Sequence, residues 1–330
     1  MKIAVITLIG SSDDYEPLRA GGHELKFGPA RGQTLPRLTE DKIVAAVGDA
    51  DCLVHNTITR SLLAALPNLK VVITPYVGYD KLDIRAATEA GVLLCNTQTE
   101  ASTMGMAEAT LALMLASAKR LHLRAGRLRD GGWRDDGSEH AVLLQGSTVG
   151  IVGFGAIGQS VARHLFGWGV RLLAYTRTPW ATMASDLGVE LVNLQSLLEQ
   201  SDIVTLHVPL TRETRGLIGA DQLRSMKPDA LLINTARGAV VDEKALILAI
   251  NEGWIAGAAL DVFHEEPLPT DNPLRNLNAD RVLMTPHAVA NTDAARRSTQ
   301  RAVVNHILSI AEGKMPRTAL NVEVGVPALG

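Results

Sequence analysis

The chain has 330 residues, of which 46% are hydrophobic and only 4% aromatic, and a net charge of −3 at pH 7. This length exceeds what one ordinary core supports and predicts two domains of about 150 residues each. Acidic and basic residues are interspersed without a basic stripe or an acidic tail, which argues against nucleic acid and membranes as partners and favours a small soluble ligand. Cores built mainly from Ala, Val, Leu and Ile indicate parallel strands covered by helices, the α/β class.

The cysteines and the N-terminal segment indicate a cytoplasmic protein. Cys52 and Cys95 lie in apolar, strand-like segments without a CxxC pattern or metal-ligand spacing, so we interpret them as reduced core thiols and expect no metal site. The apolar run 3–9 resembles the start of a signal peptide, but polar residues follow at once without a small-residue cleavage site. We therefore interpret it as the first strand, and no later apolar run is long enough to span a bilayer.

Short apolar segments alternate with helical patterns along the first hundred or so residues. The patterns predict strands at 3–8, 24–27, 52–55, 71–74 and 92–95, and helices at 39–47, 61–66 and 82–90. Such a series of βα units predicts an open, flavodoxin-like parallel sheet.

A glycine-rich hexapeptide in mid-chain introduces a second series of strands. Gly153-Phe154-Gly155-Ala156-Ile157-Gly158 follows the apolar run 149–152 and precedes an amphipathic stretch, which is the context of a dinucleotide-binding fingerprint. The first glycine permits the tight turn, the second lets backbone amides approach a pyrophosphate, and the third allows close packing of helix and strand. Further strands at 170–175, 203–207, 230–234, 255–260 and 282–284 complete a predicted doubly wound Rossmann-type sheet.

Three segments outside these strands bear on the domain boundaries. Residues 104–118 are apolar on almost every face, which predicts a helix covered all round. Residues 121–145 are glycine-rich, contain Trp133 and look irregular; packing against another subunit and a mobile surface loop both stay open. A helix at 293–312 is expected to return to the first domain. The predicted domains are therefore a substrate domain of residues 1–100 plus 288–330 and a dinucleotide-binding domain of residues 101–287.

Three residues behind predicted strands are suited to the reduction of a keto acid. Arg237, Glu266 and His287 each follow a strand, and the carboxyl edge of an open parallel sheet faces the ligand crevice. The planar guanidinium of Arg237 can bind a carboxylate through two parallel hydrogen bonds. His287 can protonate a carbonyl oxygen, and Glu266 would orient its imidazole and favour the charged form. Each residue alone could be a solvated strand-end group, but together they indicate catalysis.

The residues after the second Rossmann strand indicate the cofactor. An NAD-preferring site places an acid about twenty residues after the first glycine. This chain has Thr176-Arg177-Thr178 there instead, which offers positive charge and hydroxyl donors to a 2′-phosphate. NADP(H) is therefore favoured, while NAD(H) stays open because an arginine in this place can also stack on adenine.

An ordered series of short motifs covers nearly the whole chain. They are His207-Val208-Pro209-Leu210-Thr211, 215–218, Met226-Lys227-Pro228, 233–238, Val241-Asp242, 259–263 and Glu266-Pro267, with Val77-Gly78-Tyr79-Asp80 and Ala107-Glu108 in the first half. This series resembles the D-isomer-specific 2-hydroxyacid dehydrogenase family. The resemblance implies an NAD(P)H-dependent homodimer that reduces a small 2-oxo acid, of the glyoxylate or hydroxypyruvate type, to the D-2-hydroxy acid.

The resemblance also implies roles for individual residues. Arg237 would bind the substrate carboxylate and carbonyl, and Glu266 and His287 would form the acid–base pair. The backbone amides near Val77 and Gly78 would hold the carboxylate. The cofactor contacts expected from the glycine motif and from the resemblance are Gly153, Gly155, Ala156, Ile157, Gly158, Thr176, Arg177, Thr178, His207, Val208, Pro209, Thr214, Thr235, Ala236 and, on the nicotinamide carboxamide, Asp261.

The sequence departs from the family pattern around the substrate. Tyr76 precedes Val77-Gly78 where the family usually has a small residue, and residues 288–291 replace the usual small pair after His287. Tyr76 and Asn291 are therefore predicted substrate contacts, with packing between domains as the open alternative. Three other interpretations also stay open: a phosphoglycerate dehydrogenase, a formate- or phosphite-type dehydrogenase, which Glu266 disfavours, and a non-catalytic dinucleotide-sensing module resembling corepressors of this fold.

Overall fold

The computed structural model describes residues 1–28, 38–133, 141–178 and 180–328. The chain divides into two compact units, one of Met1–Ser102 with Asn291–Gly330 and one of Thr103–Ala290. Each unit contains one open sheet in which every paired strand is parallel. The structure thus confirms the α/β class and the two parallel sheets.

The first unit is built on a five-stranded sheet in the order β2-β1-β3-β4-β5. The chain reverses its direction of progress across this sheet between β1 and β3, which is the switch point of a flavodoxin-like arrangement. Its elements are β1 (Lys2–Val5), α1 (Glu16–Ala20), β2 (Glu24–Phe27), α2 (Glu40–Val47), β3 (Cys52–Val54), α3 (Arg60–Ala65), β4 (Val71–Ile73), α4 (Ile84–Glu89) and β5 (Leu93–Cys95).

The segment that begins at Asn291 completes this unit. Helix α12 (Asp293–Ala311) buries Val303, Ile307 and Ile310 in the core that also contains residues of β1 and β4. Farther along, the buried Asn321 accepts a hydrogen bond from the amide of Leu94 at 2.8 Å and donates to the carbonyl of Val92 at 2.9 Å. The edge strand β5 is therefore tied to a part of the chain more than two hundred residues away.

The second unit is built on a seven-stranded sheet in the order β12-β11-β10-β9-β6-β7-β8. Here β9 and β7 flank the first strand of the unit, β6, which creates a second switch point. Its elements are α5 (Glu100–Ala118), α6 (Leu121–Arg129), β6 (Thr148–Val152), α7 (Ala156–Leu165), β7 (Arg171–Tyr175), α8 (Ala181–Asp186), β8 (Val189–Leu191), α9 (Leu194–Gln200), β9 (Ile203–Leu206), α10 (Ala220–Ser225), β10 (Leu231–Asn234), α11 (Glu243–Glu252), β11 (Gly257–Leu260) and β12 (Val282–Met284).

The central strands are apolar throughout because both of their faces are covered. On β10, Leu231 and Ile233 enter one hydrophobic cluster, while Leu232 between them enters the other. Successive side chains of a strand point to opposite faces, so a continuous apolar run fills a core on each side of the sheet.

The structure differs from the sequence-based prediction at three places. Residues 121–145 were expected to be irregular, but α6 occupies 121–129, where Gly126, three arginines and a histidine obscure the helical pattern. Residues 134–140 of that stretch lie outside the described part of the chain. Strand β8 was missed because it is three residues long and exposes Glu190 and Leu191 at the sheet edge. The first strand ends at Val5 rather than at residue 8.

Both cysteines lie in the core of the first unit, on β3 and β5. Burial raises the pKa of both thiols, to about 12 for Cys95, so they stay protonated near neutral pH. Among the described residues, no helix combines the length and the apolar character needed to cross a bilayer.

Candidate active site

The glycine loop lies between β6 and the N-terminus of α7. Gly153 has φ 102°, and a Cβ there would lie 2.6 Å from the carbonyl carbon of His207, so only glycine fits this turn. Gly158 faces the carbonyl oxygen of Gly153, which would lie 2.2 Å from an added Cβ. Gly155 caps α7, and apart from its chain neighbours no atom of the described residues lies within 4 Å of the place of its missing Cβ. The first backbone amides of α7 are thus accessible, which fits a dinucleotide pyrophosphate.

The other predicted cofactor residues follow neighbouring strands at the same edge of this sheet. Residues 176–178 follow β7, residues 207–209 follow β9, residues 235–236 follow β10, and Asp261 follows β11. The carboxyl ends of parallel strands share one edge, so these residues form one band beside the glycine loop.

The end of β7 carries an exposed positive charge. Arg177 is exposed, and the hydroxyl of Thr176 donates to the carbonyl of Thr178 at 3.1 Å. The charge of Arg177 acts on the loop after β9. A hydrogen bond from the hydroxyl of Thr211 lowers the pKa of Glu213, and the charges of Arg212 and Arg177 lower it further. A cation therefore stands where an acid would bind the ribose hydroxyls of NAD.

The loop after β9 contains a neutral histidine and a threonine that braces the loop. Burial lowers the pKa of His207 to about 3, and its Nε2 lies 3.0 Å from the hydroxyl of Thr205. The hydroxyl of Thr214 donates to the carbonyl of Pro209 at 2.6 Å and accepts from the amide of Thr211 at 2.8 Å. Thr214 thus fixes the shape of the segment that was predicted to line the cofactor.

A buried asparagine shapes the turn that presents Arg237. The side chain of Asn234, which is 1% exposed, accepts from the amide of Ala236 at 3.0 Å and donates to the carbonyl of Arg237 at 3.0 Å. Thr235 is held from the other side, because its hydroxyl lies 3.1 Å from that of Thr110 on α5. Asn234 was not predicted as a site residue; its only signal was a polar amide as the last residue of an apolar strand.

Glu266 and His287 form a hydrogen-bonded pair. Glu266 Oε2 lies 2.8 Å from His287 Nδ1, and Glu266 Oε1 accepts from the amide of Phe263 at 3.0 Å. Beside them, a Cβ on Gly238 would lie 1.9 Å from the carbonyl carbon of Phe263, so the loops after β10 and β11 run in backbone contact. Arg237, Glu266 and His287 are thereby linked through adjoining segments at one sheet edge, and Nε2 of His287 is the ring nitrogen that Glu266 does not bind.

Asp261 anchors the loop that carries His287. Its carboxylate is 1% exposed, and Oδ1 accepts from the hydroxyl of Thr285 at 2.6 Å and from the amides of Ala288 and Val289 at 3.1 and 3.3 Å. His287 stands between these donors with φ 51°, a left-handed conformation that non-glycine residues seldom adopt. The anchoring contacts join two loops across the sheet, so the sequence alone did not indicate them.

The predicted substrate residues Tyr76, Val77, Gly78 and Asn291 belong to the first unit. Tyr76 is 40% exposed in the loop after β4, where the carbonyl of Val77 accepts from Asn96 Nδ2 at 2.8 Å. Asn291 is exposed just before α12.

Known proteins are similar to this chain over most of its length. Residues 111–289 match the model of the D-isomer specific 2-hydroxyacid dehydrogenase, NAD binding domain. The glyoxylate reductase of Korarchaeum cryptofilum (strain OPF8) is 41% identical over 288 residues, which cover 86% of each chain. Among solved structures, a glyoxylate reductase from Paecilomyes thermophila has a TM-score of 0.86 at 28% identity, over 98% of this chain and 99% of that one. The NADPH-dependent glyoxylate/hydroxypyruvate reductase from Sinorhizobium meliloti, in complex with NADP and malonate, has a TM-score of 0.85 at 27% identity, over 100% and 99%.

The matches together cover both units of the chain. The family model covers the unit that contains the glycine loop, and the relatives extend over the five-stranded sheet as well. The chain therefore belongs to the D-isomer-specific 2-hydroxyacid dehydrogenase family and is an NAD(P)-dependent oxidoreductase of 2-hydroxy acids.

Proposed function

We propose that this enzyme reduces a small 2-oxo acid of the glyoxylate or hydroxypyruvate type to the D-2-hydroxy acid, with NADPH as its preferred reductant. The observation that carries the proposal is the 2.8 Å contact between Glu266 Oε2 and His287 Nδ1, at the sheet edge that also presents Arg237. Curated relatives named glyoxylate reductase support this substrate class.

The catalytic trio divides the work of binding and proton transfer. The nicotinamide, when bound, supplies the hydride that reduces C2 of the substrate. Glu266 holds Nδ1 of His287, which leaves Nε2 to donate a proton to the carbonyl oxygen as it becomes a hydroxyl. Arg237 binds the carboxylate and the carbonyl through its planar fork. From the first unit, the amides near Val77 and Gly78 hold the carboxylate, and Tyr76 and Asn291 contact the substrate.

The cofactor contacts follow from the band of residues beside the glycine loop. The amides at the start of α7 bind the pyrophosphate, and Asp261 accepts from the nicotinamide carboxamide. Arg177, with Thr176 and Thr178, binds the 2′-phosphate of NADP(H), because a guanidinium and two hydroxyls match a phosphate dianion. The remaining contacts come from Gly153, Gly155, Ala156, Ile157, Gly158, His207, Val208, Pro209, Thr214, Thr235 and Ala236.

A spectrophotometric screen of 2-oxo acids with both reduced cofactors tests the proposed reaction. We expect turnover of glyoxylate and hydroxypyruvate, with a higher kcat/KM for NADPH than for NADH. Activity confined to 3-phosphohydroxypyruvate would instead favour a phosphoglycerate dehydrogenase. Tight binding of NADPH without turnover of any 2-oxo acid would contradict the proposed substrate class.

The variant Arg177→Ala tests the cofactor assignment. It should raise KM for NADPH by about ten- to a hundredfold, the scale of a lost charge-assisted hydrogen bond, while leaving KM for NADH nearly unchanged. Arg171→Ala is a matched control, because Arg171 lies at the opposite end of β7 and pairs with Glu190 at 2.7 Å. Equal effects of Arg177→Ala on KM for NADPH and for NADH would show that this guanidinium does not bind the 2′-phosphate.

We also propose that the enzyme is a homodimer. Helix α6 and the residues after it expose Leu121, Leu128, Trp133 and Leu143, each by more than half of its side-chain surface. Apolar groups of this size are commonly covered in an assembly. The division into a substrate domain and a dinucleotide-binding domain, and a cytoplasmic location, remain predictions.

A further inference from the structure

The switch point of the five-stranded sheet carries a hydrogen-bonded side-chain pair that the sequence did not indicate. Thr7 follows β1 and His55 follows β3, the two strands between which the chain changes direction. The amides of Ile6 and Thr7 both donate to the carbonyl of Val54, at 3.1 and 3.0 Å. This backbone contact brings the hydroxyl of Thr7 to 2.9 Å from His55 Nδ1. Ligands of open α/β sheets bind at the carboxyl edge beside such a point.

The pair of Thr7 and His55 is uncharged near neutral pH and can still form a hydrogen bond with a ligand. His55 is 8% exposed, and burial lowers its pKa to about 4, so the imidazole is uncharged near neutral pH. A hydroxyl can donate one hydrogen bond and accept two. The half-buried Thr7 therefore keeps the capacity for a further hydrogen bond after its contact with His55, whichever of the two groups donates.

The residues beyond the neighbouring strands extend this neutral, polar edge. Thr74 follows β4 and is fully buried, and its hydroxyl oxygen has no hydrogen-bond partner among the described residues. Asn96 follows β5 and donates to the carbonyl of Val77 at 2.8 Å, in the loop proposed to hold the substrate carboxylate. The residues that directly follow β3, β4 and β5 are thus polar, uncharged near neutral pH and buried, and Thr7 beside them is half-buried.

We propose that Thr7, positioned by His55, hydrogen-bonds the substituent on C3 of the 2-oxo acid and so selects substrates with a hydroxyl at C3. This inference rests on the proposed function and specifies its substrate class. The carboxylate loop follows β4, and β3, which His55 follows, lies between β4 and β1 in the sheet. A group bound at Thr7 therefore lies on the same edge, on the far side of His55 from the carboxylate loop. At Thr7 and His55, a phosphate or a carboxylate on C3 would meet neutral groups, and burial of an unpaired charge is costly.

The ratio of kcat/KM for hydroxypyruvate to kcat/KM for glyoxylate measures this selection, because glyoxylate has no C3. Thr7→Val keeps the size of the side chain but removes the hydroxyl, and it should lower the ratio about tenfold, the scale of one neutral hydrogen bond. The loss should appear in KM for hydroxypyruvate, since a contact with a non-reacting substituent binds ground and transition states alike. His55→Leu should also lower this ratio, because it removes the group that positions the hydroxyl of Thr7.

Conservative variants separate this role from a structural one. Thr7→Ser keeps the hydroxyl, and His55→Asn keeps a neutral hydrogen-bonding group near the place of Nδ1, so both should restore most of the ratio. Equal losses for both substrates in Thr7→Val, or an unchanged ratio, would overturn the inference. Turnover of 3-phosphohydroxypyruvate as efficient as that of hydroxypyruvate would overturn it too. A wild-type enzyme that reduces neither glyoxylate nor hydroxypyruvate would contradict the proposed function itself.

Discussion

The pairing of Glu266 with His287 determines which ring nitrogen is available for chemistry. Glu266 Oε2 lies 2.8 Å from Nδ1, and its other oxygen accepts from the backbone amide of Phe263 at 3.0 Å. The carboxylate is thus fixed at both oxygens, and it fixes the imidazole in turn. Because Glu266 already orients the imidazole, His287 loses less conformational freedom when it reaches the transition state of proton transfer.

Removal of the imidazole of His287 or of the guanidinium of Arg237 should lower activity strongly. His287→Ala and Arg237→Ala should each lower kcat/KM by at least about a hundredfold, the usual scale for a lost proton donor or a lost substrate anchor. Steady-state kinetics with the best 2-oxo acid measures the effect. His23→Ala is a suitable control, because His23 lies in the turn before β2, outside the proposed site. Near-normal activity of either site variant would contradict the role assigned to that residue.

At the scale of elements, the site depends on a close approach of two loops. The segment after β10 touches the segment after β11 at Gly238, where an added Cβ would lie 1.9 Å from the carbonyl carbon of Phe263 and 2.5 Å from the amide nitrogen of His264. Backbone atoms cannot give way as the end of a flexible side chain can. Any side chain at 238 must separate the loop of Arg237 from the loop of Glu266.

Gly238→Ala should accordingly lower both activity and stability. We expect a loss of kcat/KM of at least about tenfold and a destabilisation of about 1–3 kcal/mol, the range typical of overpacking. Gly126→Ala is the matched control: it lies within α6, has open space around the added Cβ, and should leave the stability unchanged or slightly raised. Activity assays and urea unfolding measure the two effects. A Gly238→Ala enzyme as stable and active as the wild type would show that the loops can separate freely.

The sequence predicted those parts of the fold and site that depend on local pattern. The glycine motif could be recognised because its strand, turn and helix are contiguous, and Arg237, Glu266 and His287 could be recognised because each follows an apolar strand. The contact between Thr7 and His55 could not be recognised, because the two residues are 48 positions apart and are brought together only by the pairing of β1 with β3. The anchoring of residues 288–289 by Asp261 likewise requires the order of β11 and β12 in the sheet.

At the scale of the whole molecule, the buried His55 and the half-buried His207 make the free energy of unfolding depend on pH. Burial lowers the pKa of His55 to about 4 and that of His207 to about 3. The ordinary value is about 6.5, so below about pH 6.5 the unfolded chain binds protons that the folded chain excludes. The free energy of unfolding should therefore fall as the pH drops from about 6.5 to about 4, by up to about 1.4 kcal/mol per pH unit for each histidine.

Urea unfolding at a series of pH values between about 7 and 5 measures this dependence. The double variant His55→Asn, His207→Asn lacks both groups and should show a flatter profile. If the double variant has a profile as steep as that of the wild type, other groups cause the pH dependence of the free energy of unfolding.

The proposed homodimer is also a property of the whole molecule. Leu121 and Leu128 are seven residues apart on α6 and so lie on one face, where they are 53% and 59% exposed, and Trp133 is 76% exposed just beyond it. Sedimentation should give a dimer for the wild type and a shift toward monomer for Leu128→Glu. Leu248→Glu, at a 42% exposed position on α11, should leave the assembly unchanged. A monomeric wild type at micromolar concentration would contradict the proposal.

The first unit is discontinuous, and this has a consequence for biosynthesis. A ribosome that has translated residue 290 has supplied every residue of the second unit, but not α12 or Asn321, which the five-stranded sheet needs for its core and for its edge strand β5. Because translation proceeds at about 5–20 residues per second, the first segment, which ends at Ser102, waits for roughly 10 to 40 seconds before Asn321 is added. The segment that is made first is thus the one that finishes folding last, and in that interval its exposed strands are the part of the nascent chain that most needs protection from aggregation.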